Sequence, residues 1–472
     1  MSVPPPEVTP AAAAAASATR RTVLKGSGAA GLAAVAGVTA AAPARGAQPA
    51  PPNVVIVYCD DLGYGDPGCY GSPLVRTPAI DGMARRGMRF TDFYAGAPTC
   101  TPSRAALLTG CYAPRVNLAT VLFPDHTGGL STRETTLATY LRGAGYATAH
   151  IGKWHLGNPA VDPRLHPLEH GFDRYFGLPY SNDMTPLPLY DDREIVAQPP
   201  DQASLTRRYA EETIAFVRAH ADRPFFVYLA MTQPHEPLAS EFAGRSAAGP
   251  HGDSVEEIDH YVGVLLDELD ALGVRDDTCV IFTSDNGPWY VGSAGDLYGR
   301  KAETYEGGQR VPFVVEWPAA VPAGVTYRRP TSLVDVLPTL LEAAGVEPDP
   351  DRPIDGRSIL RALTTGRPVD RGDIFYYDDR PTPSVGNCNA VRRGDWKLHV
   401  GRVPGPYFTG RAFSATEELP QLFHLARDPG ECYDLSRHHP ELVATLRARI
   451  EEFDAALRAD HAERYGPRQR EE

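Results

Sequence analysis

Asn53-Val54-Val55-Ile56-Val57-Tyr58-Cys59 runs directly into Asp60-Asp61-Leu62-Gly63-Tyr64-Gly65. The first seven residues carry no charge and are rich in β-branched side chains, the signature of a strand buried on both faces of a parallel sheet. Runs of the same kind recur at 225–231 and 280–283, with a further candidate at 311–317, and helical stretches at 136–143, 207–219 and 255–272 fall among them. This alternation predicts an α/β fold with a large mixed, mostly parallel sheet sandwiched by helices. Past Leu363 the texture changes to short strand-like segments between Pro- and Gly-rich turns, at 374–377, 388–392, 396–400 and 421–425. They predict a small C-terminal antiparallel sheet. Residues 440–458 set Leu442, Leu446, Ile450, Phe453 and Leu457 on one helical face, spaced to pack on that sheet. At 472 residues the chain has room for one large unit, 53–365, and a smaller α+β unit, 366–472.

In open α/β sheets the ligand site lies beyond the carboxyl ends of the strands. The first strand delivers Asp60 and Asp61 there, and the strand ending at Thr283-Ser284 delivers Asp285-Asn286-Gly287 to the same edge. Adjacent carboxylates repel unless a positive charge sits between them, and Gly63 and Gly65 are expected to let the turn fold back around it. Either Asp pair alone reads most simply as a turn or a helix cap. Both at strand ends point to a cation, and three carboxylates with an amide oxygen suit calcium or magnesium rather than zinc.

Cys100-Thr-Pro-Ser-Arg-Ala-Ala-Leu-Leu-Thr-Gly110 is the second informative block. Pro102 suits the first position of a helix, with Thr101 as its cap and Cys100 just ahead of its positive end. Arg104 follows one turn on and is placed to offer a guanidinium fork to an anion held beside Cys100. The plain reading of the pair is a buried thiol and a surface-paired arginine. A cysteine phosphatase loop needs a wider Cys-to-Arg spacing than the three residues present here. Lys153-Trp154-His155 follow the strand-like 147–151, and their i, i+2 spacing in extended chain would put Lys153 and His155 on one face.

Composition narrows the partners. A formal charge of -13 argues against nucleic acid and confines any anion site to a local basic pocket, which draws attention to Arg104, Lys153 and Lys301. The 42% hydrophobic and 22% charged content is ordinary for a soluble globular protein. Residues 19–25 read Thr-Arg-Arg-Thr-Val-Leu-Lys, followed by an Ala- and Gly-rich apolar run at 26–42 and an Ala-Pro-Ala cleavage candidate at 42–44. Residues 1–47 thus look like a twin-arginine signal peptide and leader, implying export to the periplasm or beyond through the twin-arginine machinery. The run is too weakly apolar for a stable membrane span. Seven cysteines stand at 59, 69, 100, 111, 279, 388 and 432, and setting Cys100 aside leaves an even six that would permit disulfides after export. Cys59 and Cys279, inside apolar runs, are expected to be free and buried.

The Cys100 block resembles the Cys-x-Pro-Ser-Arg signature of the type I sulfatases, in which the cysteine is oxidised after translation to formylglycine (3-oxoalanine). Gly152-Lys-Trp-His-Leu-Gly157 matches a second motif of that family, and His235 in Gln-Pro-His-Glu-Pro and Lys301 in Gly-Arg-Lys-Ala-Glu-Thr-Tyr-Glu-Gly-Gly-Gln-Arg-Val-Pro complete its set. The resemblance runs from Asn53 to about Leu435. Gly177-Leu-Pro-Tyr-Ser-Asn-Asp183 and residues 242–253 are close to the arylsulfatase A and N-acetylgalactosamine-6-sulfatase branch, with His251 where tyrosine is common and Gln421-Leu-Phe-His-Leu in place of the usual tail motif.

The resemblance implies an alkaline-phosphatase-like fold and one divalent cation, calcium before magnesium, held by Asp60, Asp61, Asp285 and Asn286 and touching residue 100. It implies catalytic roles for Cys100, Arg104, Lys153, His155, His235 and Lys301. In the family mechanism the hydrated aldehyde at position 100 attacks sulfur and later expels sulfate, with Arg104, Lys153 and Lys301 neutralising sulfate oxygens. His235, with Lys301, protonates the leaving alcohol, and His155 takes a proton for release. A formylglycine-generating enzyme is the implied maturation partner and an aryl or carbohydrate sulfate the implied substrate. Two other readings stand beside this one: a phosphoester or phosphonate monoester hydrolase on the same scaffold, and a noncatalytic protein that binds sulfated glycans with Cys100 unconverted.

Overall fold

β1 (Asn53–Cys59) is buried along its whole length, and its side chains alternate between two cores. Val54, Ile56 and Tyr58 join one, and Val55, Val57 and Cys59 the other. An uncharged strand needs a helical layer on each face, and the fold supplies both. The structure, a computed structural model, describes residues 51–382, 386–401 and 419–466, so the leader expected at 1–47 lies outside the described residues.

In chain order the strands are β1, β2 (Met88–Phe90), β3 (Phe93–Tyr94), β4 (Ala147–Gly152), β5 (Arg174–Gly177), β6 (Leu189–Asp191), β7 (Glu194–Ala197) and β8 (Phe225–Ala230). Then come β9 (Thr278–Ser284), β10 (Phe313–Glu316), β11 (Val325–Tyr327), β12 (Thr331–Ser332), β13 (Ile374–Thr382), β14 (Gly386–Arg393), β15 (Trp396–His399) and β16 (Gln421–His424). Ten of them form one sheet in the order β11-β2-β10-β9-β1-β8-β4-β5-β6-β7. Its centre, β9-β1-β8-β4-β5, is parallel, and antiparallel pairs flank it. β13 to β16 make the separate antiparallel C-terminal sheet, as their short, turn-punctuated pattern predicts.

The helices are α1 (Pro78–Arg86), α2 (Cys100–Thr109), α3 (Leu137–Gly143), α4 (Leu205–His220), α5 (Gly249–Ala271), α6 (Glu306–Gln309), α7 (Val336–Ala344), α8 (Leu360–Thr365) and α9 (Pro440–Tyr465). α1, α4 and α5 cover the Val55 face, and α2, α3, α7 and α8 cover the Val54 face. α9 lays Leu446, Ile450 and Leu457 on the C-terminal sheet, and Ala106 of α2 joins the same core. No helix among the described residues is long and apolar enough to cross a membrane.

Register fixes the site. Cys59 pairs with Ser284, Tyr58 with Ala230, and Gly152 with Ala230, so four neighbouring strands end level with one another. Gly152 sits at φ +112, and a side chain there would meet the Ala230 carbonyl at 1.8 Å, so this strand end tolerates only glycine.

α5 carries a pH-sensitive carboxyl away from that edge. Glu257 Oε2 accepts from Ser240 Oγ and from the Glu241 amide at 3.1 Å, while its buried Oε1 has no partner. Burial, aided by the charge of Glu241, pushes the group up to about 7. A carboxyl whose folded value exceeds its unfolded one adds stability at low pH and loses it as pH rises through the folded value. The wild type should therefore lose about 1–2 kcal/mol relative to Glu257→Gln on going from about pH 5 to 8, after allowing for solvent screening. Urea titrations of both proteins at the two pH values read this directly, and a stability difference that does not change with pH would refute it.

Candidate active site

The turn after β1 takes its left-handed residue at Asp61, φ 62, rather than at the glycines. Gly63 serves a different need: a Cβ there would meet the Ser293 carbonyl at 2.1 Å, so its lack of a side chain lets the 288–295 loop lie against the turn. The Asp61 amide donates to Asp285 Oδ1 at 3.1 Å, and the Asp285 amide donates to the Cys59 carbonyl at 3.1 Å, clasping the two strand ends. Ser284 Oγ accepts from the Leu62 amide and completes the clasp.

Inside it the carboxylates and cations are matched. Lys153 Nζ pairs with Asp60 and donates to Ser181 Oγ at 3.0 Å. Lys301 Nζ pairs with Asp61 Oδ2 at 2.8 Å, and Arg104 Nη2 with Asp285 Oδ2 at 2.7 Å and Asp60 Oδ2 at 3.6 Å. Asp60, Asp285, Arg104 and Lys153 are all fully buried. Burial opposes ionisation of Asp60, but Lys153, His235, Arg104 and Lys301 together hold its carboxyl well below the usual range. Burial and the neighbouring Asp60 raise Asp285 despite Arg104. Three carboxylates against three cations leave these side chains close to neutral overall.

Asp60, Asp61, Cys100 and His235 bring one ligand atom each to within 4.8 Å of one another. Asn286 turns its Nδ2 to Asp61 Oδ1 at 2.7 Å and leaves Oδ1 buried with no hydrogen bond. An orphaned amide oxygen beside convergent carboxylates fits a hard cation. The cluster thus holds Asp60, Asp61 and residue 100 of the set expected from the sequence and adds His235, while both Asp285 oxygens are engaged, by the Asp61 amide and by Arg104.

α2 begins at Cys100, two residues earlier than the Pro102 start that proline preference suggested, and Thr99 rather than Thr101 occupies the cap position. Thr101 is instead engaged through Oγ1 with the His155 carbonyl at 2.9 Å, which pins the helix start to the Lys153-Trp154-His155 turn. Cys100 is buried, its Sγ 3.4 Å from Asp60 Oδ1, and burial with the Asp60 charge pushes the thiol far above its ordinary range. Arg104 is more committed than expected. Besides the carboxylates, its Nη1 donates to the Lys153 carbonyl at 2.9 Å, and only its buried Nε lacks a partner.

The extended geometry expected for Lys153 and His155 does not occur, because the chain turns at Gly152 and His155 has φ 58. The turn still brings both to the site. His155 Nε2 donates to the Leu122 carbonyl at 2.9 Å, which leaves Nδ1 as a buried lone pair with no partner. Burial, then Lys153 and Arg104, depress this imidazole well below its ordinary value, so it stands neutral and proton-accepting. His235 Nδ1 donates to the Glu236 carbonyl, turning Nε2 toward Asp61 Oδ2 at 3.7 Å. Burial and Lys301 lower it as well. Burial opposes the charge on Lys301, but the Asp61 carboxylate 2.8 Å away, with Asp60 beyond it, outweighs burial and keeps it protonated.

All ten expected residues therefore converge. Ser181 and the Leu122 carbonyl were missed: Ser181 lay in a stretch noted for resemblance alone, and a backbone oxygen leaves no mark in sequence. All seven cysteines are free, so the disulfides that an even count would allow do not form, and Cys59 and Cys279 are buried as expected.

Residues 52–346 match the Sulfatase family model, and residues 369–465 match the C-terminal region of aryl-sulfatase. Arylsulfatase A of Homo sapiens is 38% identical over 465 residues, covering 89% of this chain and 90% of its own length. N-acetylgalactosamine-6-sulfatase of Homo sapiens is 37% identical over 456 residues, 87% of each chain. The solved PsFucS1 sulfatase from Pseudoalteromonas sp. superposes with a TM-score of 0.77 at 26% identity, covering 89% of this chain and 92% of its own. The phosphonate monoester hydrolase of Agrobacterium radiobacter shares the fold alone, at 22% identity and a TM-score of 0.62, over 87% of this chain and 96% of its own. The chain belongs to the sulfatase family and is a sulfuric ester hydrolase built on the alkaline-phosphatase-like sheet.

Proposed function

We propose that the protein is an exported, formylglycine-dependent sulfatase that hydrolyses aryl or carbohydrate sulfates with a calcium ion in the Asp60, Asp61, Asp285, Asn286 site. The observation that carries this reading is the buried, electrically disfavoured thiol of Cys100 beside Asp60, a position ill suited to a thiolate and well suited to a residue modified before use. Formylglycine there would supply a hydrated aldehyde, with one oxygen to attack sulfur and another to release sulfate, and the cation would supply Lewis acidity. Lys153 and Lys301 neutralise sulfate oxygens, and Arg104 holds Asp285 and Asp60 in place while facing the same anion. His155, through its free Nδ1, takes the proton that sulfate release requires, and His235 with Lys301 returns a proton to the leaving alcohol. Residues 53–365 form the catalytic unit, 366–472 its C-terminal subdomain, and 1–47 the twin-arginine leader, with a formylglycine-generating enzyme acting before export.

Turnover of para-nitrophenyl sulfate and para-nitrophenyl phosphate, measured side by side, tests the reaction class. The sulfate should be preferred, and preference for the phosphate would favour the phosphoester reading. The ligand assignment has its own test. Asp285→Ala should weaken calcium binding by about 10–100-fold or more, read by titration with the metal alone. Full calcium content together with full activity in that variant would overturn the assignment.

A further inference from the structure

The segment 298–310 carries Lys301 and is tied to two other parts of the site. The Lys301 amide donates to the Pro288 carbonyl at 3.1 Å, and the Gly287 amide, next to Asn286, donates to the Gly308 carbonyl at 2.9 Å. On the other side the Ala302 amide donates at 2.8 Å to the carbonyl of Pro98, two residues before Cys100. Ala302, the neighbour of Lys301, has φ 73, a left-handed conformation that a residue with a Cβ keeps only where its surroundings hold it. The turn that presents Lys301 therefore depends on its supports.

One support comes from the C-terminal sheet. α6 opens at Glu306, and the Glu306 amide donates to Glu431 Oε2 at 2.6 Å. Glu431 stands in the turn after β16, itself left-handed at φ 50, and its Oε1 meets Lys397 Nζ at 3.1 Å and His399 Nε2 at 2.8 Å. Lys397 and His399 are i, i+2 on β15 and so share one face. Lys397 also reaches Glu306 Oε1 at 2.9 Å, the His399 ring lies 4.7 Å from the Tyr305 ring, and the Tyr305 hydroxyl donates to Gln421 Oε1 of β16 at 3.1 Å. A buried ion cluster is weak evidence of stabilisation, and its best-attested use is to fix one arrangement of the chain. Here the arrangement it fixes lies a few residues from Lys301.

We propose that Glu431, oriented by Lys397 and His399, is a positioning residue for Lys301. By holding the Glu306 amide it fixes the start of α6 and, through the 302–305 turn, the place of Lys301 beside Asp61. The C-terminal sheet thereby takes part in the reaction without touching substrate. This rests on the reading above in which Lys301, with His235, returns a proton to the leaving alcohol.

Glu431→Ala should lower kcat/KM about tenfold for phenyl sulfate but no more than about threefold for para-nitrophenyl sulfate, whose weakly basic phenolate departs with little help from a proton. Glu431→Gln keeps an oxygen for the Glu306 amide and should recover most of the loss. In a Lys301→Met background the Glu431→Ala change should alter the phenyl sulfate rate less than about twofold, because the group it acts through is gone. Gln421→Ala removes only the acceptor of the Tyr305 hydroxyl and should show the same selective loss at about threefold, so it carries the test where Glu431→Ala does not fold. Equal losses on the two esters in the folded variants, or full additivity with Lys301→Met, would overturn the proposal. Wild-type discrimination between the two esters in Lys301→Met alone overturns instead the reading beneath it.

Discussion

Cys100→Ser is expected to lose at least about a thousandfold in multiple turnover. The side chain at position 100 opens α2, is almost fully enclosed, and lies beside Asp60 among the potential cation ligands. Serine preserves its size and one oxygen, and it disturbs neither Arg104 nor the Thr101 to His155 link. What it lacks is the second oxygen of a hydrated aldehyde, so sulfate accepted by the serine has no internal group to expel it. A single burst of alcohol with no sustained release is the expected trace, from protein that keeps its calcium and its fold. The unmodified cysteine should fail for a related reason, since burial and Asp60 keep it a thiol. Sustained wild-type rates from Cys100→Ser would sink the mechanism.

Lys397→Met should cost about 3–5 kcal/mol of stability, the usual result of removing one partner from a buried ion cluster. Lys397 lies on β15 with Nζ 2.9 Å from Glu306 Oε1 and 3.1 Å from Glu431 Oε1, all three buried. Glu431 also accepts from His399 Nε2 at 2.8 Å and from the Glu306 amide at 2.6 Å, and Tyr94 donates to Glu306 Oε2 at 2.6 Å. Burial opposes both carboxylates. Glu431 is nonetheless held low by Lys397 and His399, while burial and Glu431 raise Glu306. Methionine fills the same volume but removes the one ammonium the two acids share, leaving Glu306, among the described cations, only Arg310 at 3.4 Å and the more distant Arg392, and Glu431 only the His399 ring. Urea midpoints compare the variants, and Lys397→Met combined with Glu306→Gln should recover part of the loss. A midpoint equal to wild type in the single variant would show that the cluster contributes little.

That cluster also shows where sequence reading stops. β1 was legible because an uncharged seven-residue run has few alternatives, and Asp60, Asp61, Asp285 and Asn286 were legible because they adjoin such runs. The motif lysines and histidines came from resemblance, and their convergence follows from four strands ending in register. Glu306, Lys397, His399 and Glu431 lie on separate elements, and nothing local to any of them announces the others. The start of α2 was misplaced because proline preference marks an early helical position without fixing which one, and here Pro102 is the third residue. The bend at Gly152 escaped for the same reason that it matters: the Ala230 carbonyl that demands glycine belongs to a strand about 80 residues away.

The central claim is that sulfate-ester hydrolysis here depends on a converted Cys100. It is tested most directly by co-expressing the protein with a formylglycine-generating enzyme and measuring sulfate release from para-nitrophenyl sulfate in calcium. A mass spectrum of the peptide carrying residue 100 and a Cys100→Ala control accompany the assay. Turnover should rise in proportion to the fraction converted and vanish in the control. Hydrolysis that persists in Cys100→Ala, or fully converted and calcium-loaded protein that releases no sulfate, would contradict the account.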